Sequence, residues 1–195
     1  MYSQIIDKSF YIRSSEIVAQ ELLGKILVVE TNNILISGMI VETEAYHQLE
    51  AGSHSFVGET PRNRPMFEEG GIAYVYFIYG MYYCFNVVTD RKGFGSAVLI
   101  RAIEPLQGLD EIKVNRNINN KKIENLTNGP GKVCQALGID KTFNGLDLIN
   151  SKIKLYGFSD KKELEVVKST RIGLSKGKEL EMRYYVKGNK FVSKV

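Results

Sequence analysis

Tyr74-Val75-Tyr76-Phe77-Ile78-Tyr79-Gly80-Met81-Tyr82-Tyr83-Cys84-Phe85-Asn86-Val87-Val88 reads as two strands joined by a tight turn. The flanks are aromatic and β-branched, the residue types that fit a pleated, half-buried surface. Gly80-Met81 supplies the turn, because glycine reaches the dihedrals that tight hairpins need. A second strand-like run, Ile40-Val41-Glu42-Thr43-Glu44-Ala45-Tyr46, carries carboxylates where a plain core strand would not. These two segments predict a sheet with chemistry on it.

Around them the pattern stays strand-rich. Ser14 or Ser15 caps a predicted helix through Leu23, with Ala19, Leu22 and Leu23 on one face and Gly24 as its stop. Lys25 to Glu30 reads as a strand, Asn32-Asn33 as a turn, and Leu35 to Tyr46 as the returning strand. Residues 47–73 are polar and rich in glycine and proline, which predicts a long loop, of a length that is usually either functional or disordered. Ala97 to Ile103 is a further strand, Leu109 to Asn115 and Lys132 to Leu137 are helical, and Lys152–Tyr156 and Arg183–Val186 are strands. Asn117 to Asn125 is a polar connection. With no βαβ rhythm, the class expected is α+β with an antiparallel sheet core and a few flanking helices.

The chain has 195 residues, 44% of them hydrophobic, which suits one well-filled core and predicts a single domain over 1–195. No apolar run is long enough to cross a bilayer, and the start lacks the pattern of a secretory signal. A cytoplasmic protein that does not engage membranes is expected. Cys84 and Cys134 read as buried free thiols. With only His47 and His54 beside them, no zinc-spaced ligand set exists, so neither a metal nor another cofactor is expected. The formal net charge of +4 is a mild basic excess that only leans toward a polyanion partner.

Three features carry candidate chemistry. By strand alternation Glu42, Glu44 and Tyr46 share one face, and Val41, Thr43 and Ala45 the other; the charged face either meets water or builds a site. Arg101 interrupts the apolar run Ala97 to Ile103, and arginine is rarely buried without a partner. Glu104 is one candidate partner and Glu44, or its bound water, the other. Five of the eleven tyrosines fall between Tyr74 and Tyr83, although a core is filled more cheaply by Phe or Leu. Tyr74 and Tyr76 share a face, Tyr79 stands beside the turn as a candidate wedge between base pairs, and Asn86 needs a polar partner.

Two weaker signals are basic. Thr60-Pro61-Arg62-Asn63-Arg64 offers Arg62 and Arg64 to phosphates. Asn128-Gly129-Pro130-Gly131-Lys132 precedes a helix, where backbone N–H groups and Lys132 suit an anion. It is not a Walker loop, because Leu126 and Val133 stand where that motif needs glycine and a hydroxyl. No acyl-transfer nucleophile motif is present.

Taken in order, these pieces resemble the alkyladenine (3-methyladenine) DNA glycosylase family, the monofunctional type without a helix-hairpin-helix. The matching runs are Ala19 to Gly24, Ile40 to Tyr46, Ser53-His54-Ser55, Thr60 to Asn63 with Met66-Phe67, Tyr74 to Asn86, Leu99 to Pro105, Asn128 to Lys132 with Cys134 to Leu137, and Arg171-Ile172-Gly173. The resemblance implies a curved antiparallel sheet with a protruding hairpin. It implies excision of damaged purines from double-stranded DNA by a monomeric enzyme, with neither metal nor lyase step. By position Glu44 matches the general base and Arg101 the residue that helps hold the nucleophilic water. Tyr46, His54 and Tyr76 match the base pocket, Asn86 the screen against normal guanine, and Tyr79 the ring inserted into the duplex. The chain departs from the family at His47 to Ser53, where Gly-Pro and an aspartate are usual. A non-catalytic damaged-DNA or RNA-binding module of the same fold is the competing expectation.

Overall fold

The computed structural model describes residues 2–31, 33–78, 80–118, 122–158 and 164–193. Their strands are β1 (Tyr2–Ile5), β2 (Ile26–Thr31), β3 (Ile34–His47), β4 (Ala73–Ile78), β5 (Tyr82–Val88), β6 (Ser96–Gln107), β7 (Ile153–Phe158), β8 (Val166–Ser169) and β9 (Arg183–Val186). The helices are α1 (Lys8–Tyr11), α2 (Ser15–Glu21), α3 (Leu109–Arg116) and α4 (Pro130–Leu137). The strands form one open, antiparallel sheet in the order β1-β7-β2-β3-β6-β5-β4. β3 is its spine: β2 pairs Ile34–Met39, β9 pairs Glu42–Glu44, and β6 runs along the opposite side. The α+β class expected from the sequence is the class observed.

Local chemistry explains the boundaries. Ser14 is the N-cap of α2, and Gly24, at φ +80°, turns the chain into β2 while its N–H bonds to Ile40 O. Pro130 starts α4, where its missing N–H costs nothing, and Gly138 closes it in the left-handed region. Val18, Ala19 and Leu22 of α2 and Val133, Cys134, Ala136 and Leu137 of α4 bury themselves in one core with Val41, Ala45, Phe85, Val87, Val98 and Ile100 of the sheet.

Two findings go beyond the sequence reading. β1 and β8 were not expected; both are short and mostly exposed, so they lack an apolar alternation. Residues 47–73 are pinned rather than open: they contain 3₁₀ turns at His54–Val57 and Arg64–Phe67, and Asn63 donates to the carbonyls of His54 and Gly58. The Asn117–Asn125 connection and the Asn32-Asn33 turn lie partly outside the described residues, and Tyr79 lies wholly outside them. No helix among the described residues is long and apolar enough to cross a membrane.

Candidate active site

Strand alternation sorts the sheet into a core face and a site face. Ala73 and Val75, Phe85 and Val87, Val98 and Ile100, and Val41 and Ala45 enter the core. Their neighbours Tyr74, Tyr76, Asn86, Leu99 and Arg101 line a pocket on the other face. One row of directly opposed residues crosses five strands: Tyr74, Asn86, Leu99, Glu44 and Arg183. The pairing places candidate groups from distant parts of the sequence within one strip, with strands ~4.8 Å apart.

Glu44 is completely buried. Its Oε1 accepts from the backbone N–H of Ile172 at 2.8 Å, and its Oε2 from the Tyr46 hydroxyl at 2.8 Å and Arg101 Nη1 at 3.0 Å. The polar face of β3 therefore does not meet water. Arg101 occupies a bulge: Glu42 pairs with Ala102 and Thr43 with Ile100, so Arg101 has no opposite number. Bulges re-aim side chains, and here the guanidinium reaches Glu44 and, through Nε at 3.1 Å, Glu42. Burial works against its charge, yet Glu44 and then Glu42 hold its pKa above the ordinary value. Glu104 is not its partner; that carboxylate accepts from Asn189.

The pocket has a volume of ≈ 520 Å³, within the roughly 300–1,000 Å³ usual for small-molecule sites. Tyr46, His54, Tyr76 and Asn86 all line it, as do Lys132 and the Gly129-Pro130-Gly131 start of α4. His54 stacks edge-on against Tyr76 with centroids 4.6 Å apart, and its Nδ1 lies 3.1 Å from the Tyr74 hydroxyl. Part of the His54 ring is open to solvent, yet desolvation of the rest, followed by the charge of Arg62, brings its pKa below the ordinary value. Burial is the main cause that pushes Tyr74 up to about 12 and raises Tyr46 and Tyr76 as well. Asn86 donates to Tyr74 O across the hairpin at 3.1 Å.

The basic residues separate. Arg62 Nη2 donates to Phe77 O at 3.3 Å and its guanidinium lies 5.9 Å from the Tyr76 ring centroid, so it stands by the pocket. Arg64 is exposed and 3.7 Å from Glu59. Lys132 donates to Asn128 Oδ1 at 2.6 Å.

Four charged residues without an assigned role stand in this strip or beside it. Glu42, quoted beside Glu44 in the sequence but given no part, is buried against Arg101 and Arg183. Arg171, present in the Arg171-Ile172-Gly173 run, is clasped by Glu50 and lies over the Tyr46 ring at 4.5 Å. Glu50 comes from the stretch where the chain departs from the family. The alternation of β3 was signal enough for Glu42; nothing local marked Arg171, Glu50 or Arg183, whose partners are more than a hundred residues away. Among the described residues, no group of three or more His, Cys, Asp or Glu is gathered as a metal ion would need.

Comparison with known proteins identifies the family. A family profile described as methylpurine-DNA glycosylase matches residues 9–190. A protein of Carboxydothermus hydrogenoformans, provisionally named a 3-methyladenine DNA glycosylase, is 49% identical over 97% of this chain and 99% of its own length. Similar proteins under the same provisional name in Clostridium novyi and Francisella tularensis are 44% and 45% identical, covering 97% and 90% of this chain and 98% and 92% of their own lengths. The chain belongs to the methylpurine-DNA glycosylase family.

Proposed function

We propose that this DNA glycosylase hydrolyses the N-glycosidic bond of alkylated or deaminated purines in duplex DNA, with Glu44 as general base and Arg101 as its partner. The observation that carries the reading is the Arg101–Glu44 bond of 3.0 Å at the wall of a ring-lined pocket. A stacked base is out of reach, so the damaged nucleotide swings out at a cost of a few kcal/mol. Tyr46, His54 and Tyr76 enclose the flipped base, and Asn86 screens against normal guanine. Breaking the bond builds oxocarbenium character on the sugar. A water oxygen bonds to C1′, its proton passes to the Glu44 carboxylate, and the electrons of the broken C1′–N bond leave with the base. Arg101 orients that water, because Nη2 has no acceptor among the described residues while Nε and Nη1 are held. No lyase step follows.

Alkylated purines are cationic and leave as neutral bases without an acid. Burial makes Tyr46, Tyr74 and Tyr76 hold their protons more tightly than a free phenol; neutral lesions such as hypoxanthine need the leaving group protonated, and no residue is assigned as that acid. Arg62, Arg64 and Lys132 contact phosphates, and Tyr79 fills the gap in the stack. The chain works as one domain over 1–195, as a monomer without a cofactor, in the cytoplasm at the nucleoid; the continuous core that α2, α4 and the sheet share supports the single domain. In the test, Glu44→Gln keeps the shape and loses the basicity. Single-turnover release is expected to fall by ~10²–10⁴-fold, with binding to abasic-analogue DNA retained. Retained release would remove Glu44 as the base. A wild-type protein that binds lesions and releases nothing would favour the non-catalytic module.

A further inference from the structure

We infer that Glu42 is a positioning residue for Arg101, and that Ser193 completes its seat, which makes the segment that carries Ser193 part of the catalytic scaffold. The inference rests on the reading of Glu44 and Arg101 given above.

Glu42 is completely buried and, like Glu44, is not among the residues that line the pocket; Arg101 is its one partner that does, so it acts through that neighbour. Four donors fill its carboxylate: Arg101 Nε at 3.1 Å, Arg183 Nε at 2.7 Å, Ser193 N–H at 2.7 Å and Ser193 Oγ at 2.9 Å. Arg101, Arg183 and the Ser193 hydroxyl share Oε1 and the Ser193 N–H takes Oε2, so both oxygens are engaged. The bulge frees Arg101 from its strand partner, so backbone pairing does not fix its side chain. Two bonds do: Nε to Glu42 and Nη1 to Glu44. A guanidinium is a rigid plane, and two anchored nitrogens fix the direction of the third.

Charge points the same way. Glu42, Glu44, Arg101 and Arg183 are all buried, two negative and two positive. Arg183 also lies over the Tyr185 ring, and Tyr185 is the residue opposite Glu42. Without Glu42 the cluster carries one positive charge in excess beside Glu44, and a buried imbalance is strongly felt. Glu44 is otherwise faced by Tyr46 on β3, Arg101 on β6, Cys84 on β5, Tyr76 on β4 and Arg171.

The test compares Glu42→Gln, Ser193→Ala and Glu44→Gln on a duplex carrying one 7-methylguanine. Single-turnover rate is read across pH, with affinity for abasic-analogue DNA and melting temperature on the same preparations. Glu42→Gln is expected to slow the chemical step by about 10- to 100-fold, as small misplacements of a reacting group do, with affinity nearly unchanged. The acidic limb of its rate profile is expected to move to lower pH, because one negative charge fewer stands beside the base. Ser193→Ala is expected to show a smaller slowing, again with affinity unchanged. It removes one bond and no charge, so it decides the matter should Glu42→Gln fail to fold. A wild-type rate in Ser193→Ala, or in a folded Glu42→Gln, overturns the inference; so does a slowing matched by equal loss of affinity with the pH limb unmoved. In those cases an inactive Glu44→Gln leaves the reading of the site standing, whereas an active Glu44→Gln removes that reading first.

Discussion

The Tyr46 hydroxyl donates to Oε2 of Glu44 at 2.8 Å, the same oxygen that receives Arg101 Nη1. The two residues are i and i+2 on β3, so strand alternation alone puts them on one face. A ring that lines the pocket is thereby tied to the carboxylate behind it. On the proposed mechanism, a base placed against Tyr46 therefore bears on the position of Glu44 as well.

Tyr46→Phe separates the two roles. The ring and its contact with Arg171 remain, while Glu44 loses one donor. A hydrogen bond to a charged group is worth ~1.5–3 kcal/mol, so single-turnover release is expected to fall ~10- to 100-fold with substrate affinity nearly unchanged. Tyr46→Leu also removes the ring and is expected to weaken binding. Equal effects of the two substitutions on affinity would mean that the ring contributes no stacking.

The Arg171–Glu50 pair is a structural clasp beneath this arrangement. Both side chains are almost wholly buried, and Arg171 also donates to Ala45 O and Gly177 O. Gly52 and Gly177 pack against the pair so tightly that a Cβ on either would lie about 3 Å from Glu50 Oε2. Breaking such a pair from one side strands a charge and costs ~3–5 kcal/mol. Glu50→Ala is expected to lower the melting temperature by ~6–20 °C, at ~2–4 °C per kcal/mol for a chain of this size. The double variant Glu50→Ala with Arg171→Met is expected to be more stable than Glu50→Ala alone. Additive losses in the thermal melts would contradict the clasp.

Arg62 and Arg64 divide although the sequence sets them side by side. Arg64→Ala is expected to weaken lesion and undamaged duplex equally and to reduce the log–log salt slope by about one, since phosphate contacts position without reading bases. Arg62→Ala is expected to do the same and also to slow base release, because Arg62 lies against Tyr76 and bonds to Phe77 O. Identical profiles for both variants would make Arg62 a phosphate contact alone.

His54 provides a pH readout of that corner. Burial of part of the ring, then Arg62, hold its pKa below the model-compound value of 6.5. A histidine depressed in the folded state supports stability above the unfolded pKa, and that support is lost as pH falls toward the folded value. Nuclear magnetic resonance is expected to show His54 titrating below 6.5, with Arg62→Ala moving it upward. Tyr74 is buried, and its hydroxyl lies 3.1 Å from His54 Nδ1, a hydrogen bond whose donor is set by the tautomer of the ring. A His54 titration unmoved by Arg62→Ala would remove that arginine from the pocket's electrostatics.

Much of this was legible because its rules are local. Gly80 marks the hairpin, Gly24 and Gly138 end helices, and period-two alternation puts Glu42, Glu44 and Tyr46 together. The sequence offered Arg101 two partners, Glu104 and Glu44, and no local pattern decides between them, because the bulge that turns Arg101 toward Glu44 belongs to the strand pairing. Arg171 and Ser193 escaped for a different reason. Each bonds across more than a hundred residues, and only the completed sheet makes them neighbours.

The hairpin tip carries the last prediction. Ile78 pairs with Tyr82, Gly80 has φ +68°, and Met81 is 62% exposed, so the turn presents apolar surface without a core to fill. Tyr79 falls between Ile78 and Gly80 in sequence. An aromatic ring inserted there offsets an unstacking cost of roughly a few kcal/mol. If it recovers ~2 kcal/mol, Tyr79→Ser lowers the flipped population by about thirtyfold. The defect is expected to be large for hypoxanthine opposite thymine and smaller opposite a weaker partner, where flipping is already easy. A core role predicts instead a lower melting temperature and the same defect in every context. Excision measured against both partners, with the melt recorded alongside, separates the two, and a context-independent defect with a lowered melting temperature would sink the wedge.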